Sequence, residues 1–316
     1  MRIIYLNPFE KSEISGGIKT AYRHVELLRE IGYDAYIWQP SGKATWLETN
    51  AALLSDQTID FVKPTDILVF PESLHNDVFI PFITSVKAKK KILFCQNQYN
   101  LFNQLIPKKS FSELGFDDIV CCSNTVKDFF EDVFKFRNLS IIPYYVDREQ
   151  FKPATNQLQI ALTPRKLPLH AKFILQVFRI KYPEFSHVKV AAFHDAHENK
   201  VAKILGQSAV LLALSNRESF GLVPVEAMAA GCLVAGYHGY GGLEYATAAN
   251  GFWYGADENE KVADSIAHLL RGIGSRADWV AAMRDATRAT VQRYDRQSTK
   301  LALLTYFKRL DVHPTF

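Results

Sequence analysis

Short apolar runs and longer amphipathic stretches alternate along most of this chain. Residues 2–6, 34–38, 67–70, 91–95 and 119–122 are apolar runs too short for helices and read as buried strands. Between the first two, residues 18–31 (IKTAYRHVELLREI) carry apolar positions at helical spacing, after a polar loop containing Gly16-Gly17. Gly32 is placed to stop that helix. Residues 125–134 predict another helix and 140–143 another strand. A second series follows Phe151-Lys152-Pro153, with strands at 158–162, 188–193, 210–214 and 232–236. Its helices are expected at 170–181, 198–205, 224–230, 263–271 and 279–294. A last helix, roughly 298–310, either finishes the second series or crosses back to the first. Strand-then-helix alternation predicts parallel, doubly wound sheets, and 316 residues are more than one core usually serves. The expected fold class is α/β: two Rossmann-like doubly wound domains, residues 1–148 and 149–295, facing across a cleft, with residues 296–316 free to pack back on the first. Ligands of such sheets bind on loops beyond the carboxyl ends of the strands.

Composition adds few constraints. The chain is 48% hydrophobic and 22% charged, the balance of a globular protein, and a net charge of +4 does not argue for nucleic acid. Part of the positive charge is clustered at Lys87, Lys89, Lys90, Lys91, Lys108 and Lys109. That run is either a solvated edge or a surface for anionic headgroups or a phosphorylated substrate. Cys95, Cys121, Cys122 and Cys232 show no metal-ligand spacing and read as buried thiols in a reducing compartment. The opening MRIIYLNPF is too short for the apolar core of a signal peptide, and no run approaches the length of a membrane span. A cytoplasmic protein, at most touching the inner face of a membrane, is expected.

The candidate chemistry concentrates in residues 217–231, RESFGLVPVEAMAAG, which follow the strand at 210–214. Pro224 suits the start of a helix, whose first turn tolerates a missing N–H. The amides near Gly221, Leu222 and Val223 then favour an anion such as phosphate, and Gly221 lets backbone approach a ligand. Glu226 is expected in the first turn, where its charge suits the helix dipole. Carboxylates beside an anion site, as Glu218 and Glu226 are, suit sugar hydroxyls on either side of a diphosphate. A plainer reading of the same pattern makes Glu226 a helix cap and Glu218 a solvated loop residue.

The segment ESFGLVPVEAMAAGCLVAG resembles the signature of retaining glycosyltransferases of the GT-B fold, the family 4-like group 1 glycosyl transferases. Ile141-Ile142-Pro143, Val146-Asp147, Phe151, Pro153, Gly241-Gly242-Leu243-Glu244 and Gly16-Gly17 fit the same family in the same order; residues 40–115 match poorly. The resemblance implies that Glu218 holds hydroxyls of the transferred sugar and Glu226 those of the ribose. It implies that Phe220, Gly221 and Leu222 offer backbone amides to sugar and diphosphate, with Gly16 and Gly17 as the N-terminal glycine loop. Arg165 and Lys166, after the strand at 158–162, would grip the diphosphate, although they are adjacent where most members space the two apart. The first domain would take a glycan or lipid-linked acceptor and the second the nucleotide sugar. Transfer would proceed with retention, the departing phosphate taking the acceptor's proton, without metal or cofactor. The absence of a D-x-D triplet fits that expectation. Surface polysaccharide or glycoconjugate synthesis is the implied setting.

The sequence departs from the family where many members carry a histidine after a middle strand. Here Gln96-Asn97-Gln98-Tyr99-Asn100 follows. Either Gln96 or Asn97 substitutes an amide, or the segment is an amide-rich turn. Glu72 and His75 either face the cleft or are a loop acid and a surface imidazole. His194-Asp195-Ala196-His197 lacks a third metal ligand and reads as a helix start capped by Asp195. The glycines of 236–242 lack the acid that a dinucleotide site requires. Two alternatives stay open: another enzyme on this fold, such as an epimerase, and a non-catalytic nucleotide-sugar-binding protein. Base, sugar, acceptor and oligomeric state are not set by the sequence.

Overall fold

A computed structural model describes every residue except 57, 59, 74–78, 105–110, 155–156 and 315–316; His75, Lys108 and Lys109 fall outside the described residues. The chain divides into two compact units, residues 1–144 with 297–316, and residues 145–296.

The first unit begins with β1 (Ile3–Leu6), α1 (Gly16–Glu30), β2 (Ala35–Trp38), β3 (Leu53–Leu54) and β4 (Ile67–Pro71). It continues with α2 (Phe79–Ser85), β5 (Lys90–Cys95), α3 (Gln98–Gln104), α4 (Phe111–Leu114), β6 (Asp118–Cys121), α5 (Asn124–Phe134) and β7 (Leu139–Ile141). All its strands pair in parallel, in the order β3-β2-β1-β4-β5-β6-β7. β1, the first four residues of β4, the last four of β5 and all of β6 are buried, as expected of a parallel sheet covered on both faces. Helix α1 starts at Gly16, not at residue 18, so the glycine pair lies in its first turn rather than in a loop. The reason is Ser15, whose Oγ accepts from the N–H groups of Gly17 and Ile18 as N-cap. The helix ends where Gly32 adopts φ +91°, as its position predicts. In the lysine run, Lys91 donates from Nζ to Ile83 O (2.8 Å), so one of its charges is committed to the fold.

The second unit holds β8 (Gln157–Leu162), α6 (Pro168–Lys181), β9 (Lys189–Ala192), α7 (Glu198–Gln207), β10 (Ser208–Ala213) and α8 (Leu222–Ala229). It closes with β11 (Leu233–Tyr237), β12 (Phe252–Tyr254), α9 (Asn259–Ser275) and α10 (Asp278–Gln292). Its sheet, also parallel, runs β12-β11-β10-β8-β9. α6 and α9 pack together on a core that includes Ile160, Leu212, Val262, Ile266 and Ala171.

The last helix, α11 (Arg296–Arg309), packs on the first unit. Thr299 donates to Pro143 O (3.0 Å), Arg309 pairs with Asp118 (3.0 Å), and Tyr33 donates to Val312 O (3.2 Å). All four cysteines are buried and unpaired, as read from the sequence. Among the described residues, no helix is long and apolar enough to cross a membrane.

Candidate active site

In an open parallel sheet, the crevice forms where successive crossovers leave in opposite directions. In the second unit that point lies between β8 and β10, which are neighbours although β9 intervenes in sequence. Loop 163–167 leaves the end of β8 and loop 214–221 leaves the end of β10. Lys166 on the first loop forms an ion pair with Glu218 on the second, and Ser215 donates to the same Glu218 Oε1 (3.1 Å). Arg165 is exposed beside Lys166 and pairs with no described residue.

The Glu218 loop is built against a second loop. Glu218 N–H donates to Gly239 O (3.0 Å), and Gly241 N–H donates to Glu218 O (2.9 Å). Gly241 has no room for a side chain: a Cβ there would sit 2.2 Å from Ser219 C and 2.4 Å from Phe220 N. Gly221 has φ +83°, which L side chains rarely adopt, and Tyr245 donates to its carbonyl (2.9 Å). Phe220 turns its ring into the core, against Tyr245 (5.2 Å) and Tyr294 (4.9 Å). Only its backbone is therefore placed to serve the loop.

Helix α8 starts at Leu222, with Gly221 as N-cap and no side-chain cap. Its first-turn N–H groups have no intrahelical acceptors. Pro224 is the third helical residue rather than the first, which is consistent with its missing N–H. Glu226 lies beyond the first turn, where it was expected, and it is 5% exposed. The helix starts two residues before Pro224, which sets Glu226 one turn in. The structure thus brings Arg165, Lys166, Glu218, Gly221 and Leu222 to one switch point, with Phe220 anchoring the loop and Glu226 one turn into α8.

In the first unit the corresponding point lies between β1 and β4. The start of α1 and Glu72 follow these strands, and Gln96 follows the adjoining β5. Gln96 Nε2 donates to Gly17 O (3.1 Å), and a Cβ on Gly17 would meet that same nitrogen at 3.2 Å. The N–H of Gly17 is engaged by Ser15, while Gly16 is exposed. Gln96 Oε1 is buried with no hydrogen-bond partner among the described residues.

Glu72 is not a surface acid: it is 5% exposed. It accepts from Gln96 N–H (3.1 Å) and Asn100 Nδ2 (3.3 Å), which shapes the segment after β5 into the start of α3. Burial raises its carboxyl from 4.5 to about 7, against the lowering effect of those hydrogen bonds. Sequence reasoning missed this because the groups that hold Glu72 lie 24 and 28 residues away.

The Nδ1 of His197 caps α7 by accepting from Asn199 N–H (3.3 Å), whereas Asp195, the expected cap, has φ +41°. His197, not Asp195, is the residue immediately before the helix. Among the described residues, no group of three or more His, Cys, Asp or Glu is arranged to hold a metal ion.

Comparison with known proteins places the chain among glycosyltransferases. Residues 186–286 match the family described as "Glycosyl transferases group 1". The chain is 24% identical over 279 residues to an alpha-1,6-glucosyltransferase of Actinobacillus pleuropneumoniae serotype 7 (strain AP76), covering 84% of this chain and 83% of that protein. Its fold is similar to a glycosyltransferase of Rickettsia africae ESF-5 (TM-score 0.74, 16% identity, 98% of each chain). It is also similar to HepE of Anabaena solved with UDP (TM-score 0.68, 14% identity, 98% of this chain and 100% of that one). HepE has been solved with UDP-glucose as well.

Proposed function

We propose that this chain, a glycosyltransferase of GT-B fold with a group 1 segment at residues 186–286, moves a sugar from a nucleoside-diphosphate sugar to a glycan or lipid-linked acceptor. Transfer retains the anomeric configuration, needs no metal, and belongs to polysaccharide or glycoconjugate synthesis. The observation that carries this reading is the Lys166–Glu218 pair at the second unit's switch point, beside the uncapped start of α8. A cation, a carboxylate and free amides there meet the needs of a diphosphate and a hydroxylated sugar together.

The chemistry follows from charge. The bond from the anomeric carbon to the diphosphate oxygen breaks, and its electron pair stays on that oxygen. Arg165, Lys166 and the N–H groups at Leu222 and Val223 stabilise the charge; each preorganised donor of this kind contributes about 3–4 kcal/mol to catalysis. The acceptor hydroxyl bonds to the anomeric carbon and passes its proton to the departing phosphate. Glu218 accepts from sugar hydroxyls once Lys166 turns to the phosphate, and Glu226 serves the ribose. In the first unit, the buried Oε1 of Gln96 has no partner among the described residues and can accept a hydrogen bond from a hydroxylated ligand. Gly16 and Gly17 keep that backbone slim.

UDP-glucose is the donor to test first, because HepE binds it and the Actinobacillus relative is a glucosyltransferase. Release of UDP, measured with acceptor glycans in the presence of EDTA, is expected to persist. Glu218→Ala is expected to cut it at least about tenfold, since losing a hydrogen bond to a charged group costs roughly 1.5–3 kcal/mol, with UDP affinity nearly unchanged. Full activity in Glu218→Ala would refute the assignment, and loss in EDTA restored by Mg²⁺ or Mn²⁺ would refute metal independence.

A further inference from the structure

Helix α6 carries a second apolar face. Ala171, Ile174 and Phe178 bury its inner side. On the outer side Leu169 is 79% exposed, Phe173 47% and Ile180 77%. At 3.6 residues per turn these three fall within about 40° of one another, nearly opposite the buried stripe. Single exposed apolar residues are ordinary; an aligned row along one helix is not.

The charge around the row identifies what would cover it. α6, PLHAKFILQVFRIK, contains no acidic residue. Lys172 and Arg179 are exposed on the flank of the row and pair with no described residue. Of the acids near the helix, Glu184 just after it is paired with Arg271, Asp264 on the packed helix α9 is paired with Lys181, and the exposed Asp257 lies 3.6 Å from His170 in the first turn of α6. A second copy of the chain is a poor partner, because a two-fold contact through this face would set Lys172 and Arg179 against their own images. An anionic bilayer fits both features. Apolar side chains enter the boundary between headgroups and acyl chains while the basic flank meets the headgroups.

We infer that the outer face of α6, with Leu169, Phe173 and Ile180 flanked by Lys172 and Arg179, docks this protein on a membrane surface rich in anionic lipid. The site lies on the second unit, whereas the lysines at 87–91 belong to the first, and it does not depend on the donor, the acceptor or turnover.

Flotation of the full chain with phosphatidylglycerol–phosphatidylcholine vesicles tests this, with pure phosphatidylcholine vesicles as control. Wild type is expected to float with the anionic vesicles only, and less so as salt rises. Lys172→Gln with Arg179→Gln is expected to weaken partitioning by about tenfold or more, since each basic residue near such a surface contributes on the order of fivefold. Phe173→Ser with Ile180→Ser is expected to abolish it, with an unchanged thermal midpoint showing that the fold is intact. Lys89→Gln with Lys90→Gln is expected to have little effect. The inference is overturned if wild type does not float, if the α6 variants float like wild type, or if gel filtration shows a dimer that only these variants dissociate.

Discussion

At the scale of single residues, the arrangement depends as much on what is missing as on what is present. Glu218 can face Lys166 because Gly241 leaves space for the backbone of residues 218–220. Gly241→Ala would put a methyl where neighbouring backbone atoms already lie at 2.2–2.5 Å, and backbone cannot yield as a flexible side chain can. That substitution is expected to abolish UDP release while the far-UV circular dichroism stays native. Gly242→Ala is a suitable control, since its nearest neighbour would be at 3.4 Å, an ordinary contact. Equal activity in both variants would show that the loop does not rely on this fit. The carboxylates, the basic pair and the glycines were all legible in the sequence as residue types. Their partnership was not: Lys166 and Glu218 are 52 residues apart, and only the strand order makes their loops neighbours. Glu72 is the clearest gap, because nothing local distinguishes a buried acid after a strand from a solvated one.

At the scale of elements, buried parallel strands were easy to read because burial on both faces leaves short, continuous apolar runs. β3 has two residues and β12 three, all half-buried at sheet edges; the apolar runs that hold them, 51–54 and 252–254, are too short to stand out as strands. α3 and α4 are likewise too short for a helical period to emerge from sequence. Helix α11 lies with the first unit although it follows the second in sequence. Its Arg309 is the partner of Asp118, whose side chain is 3% exposed. Arg309→Ala is expected to destabilise the first unit by about 1 kcal/mol, the low end of the cost of stranding a buried polar partner because Arg309 is partly solvated. In a thermal melt this is roughly 2–4 °C per kcal/mol, and adding Asp118→Asn is expected to recover most of it. No change in the single variant would mean that other contacts hold α11.

At the scale of the whole molecule, two buried groups of the first unit oppose each other as pH changes. His24 on α1 is 1% exposed, near Tyr5 and stacked on Phe94, and burial lowers it from 6.5 to about 3. It disfavours folding as pH falls below 6.5, where only the unfolded chain gains its proton. Burial raises Glu72 from 4.5 to about 7, so its cost grows as pH rises from 4.5 to 7 and is relieved on acidification. Each group changes stability by at most about 1.4 kcal/mol per pH unit, with opposite sign. Between pH 4.5 and 6.5 they offset. Urea midpoints are expected to show His24→Gln gaining stability, and Glu72→Gln losing it more steeply than wild type, as pH drops from about 6.5 to 5. Slopes of the same sign would contradict the burial of one of them.

By the proposed function, the second unit's switch point binds the diphosphate of a nucleotide sugar through Arg165, Lys166 and the start of α8. Calorimetric titration of the full chain with UDP, GDP, dTDP and ADP in EDTA tests it most directly. Saturable one-to-one binding of at least one of them is expected, weakened at least about tenfold by Arg165→Ala with Lys166→Ala, as for lost charge-assisted hydrogen bonds. Binding of none of the four, or equal binding by the double variant, would contradict it.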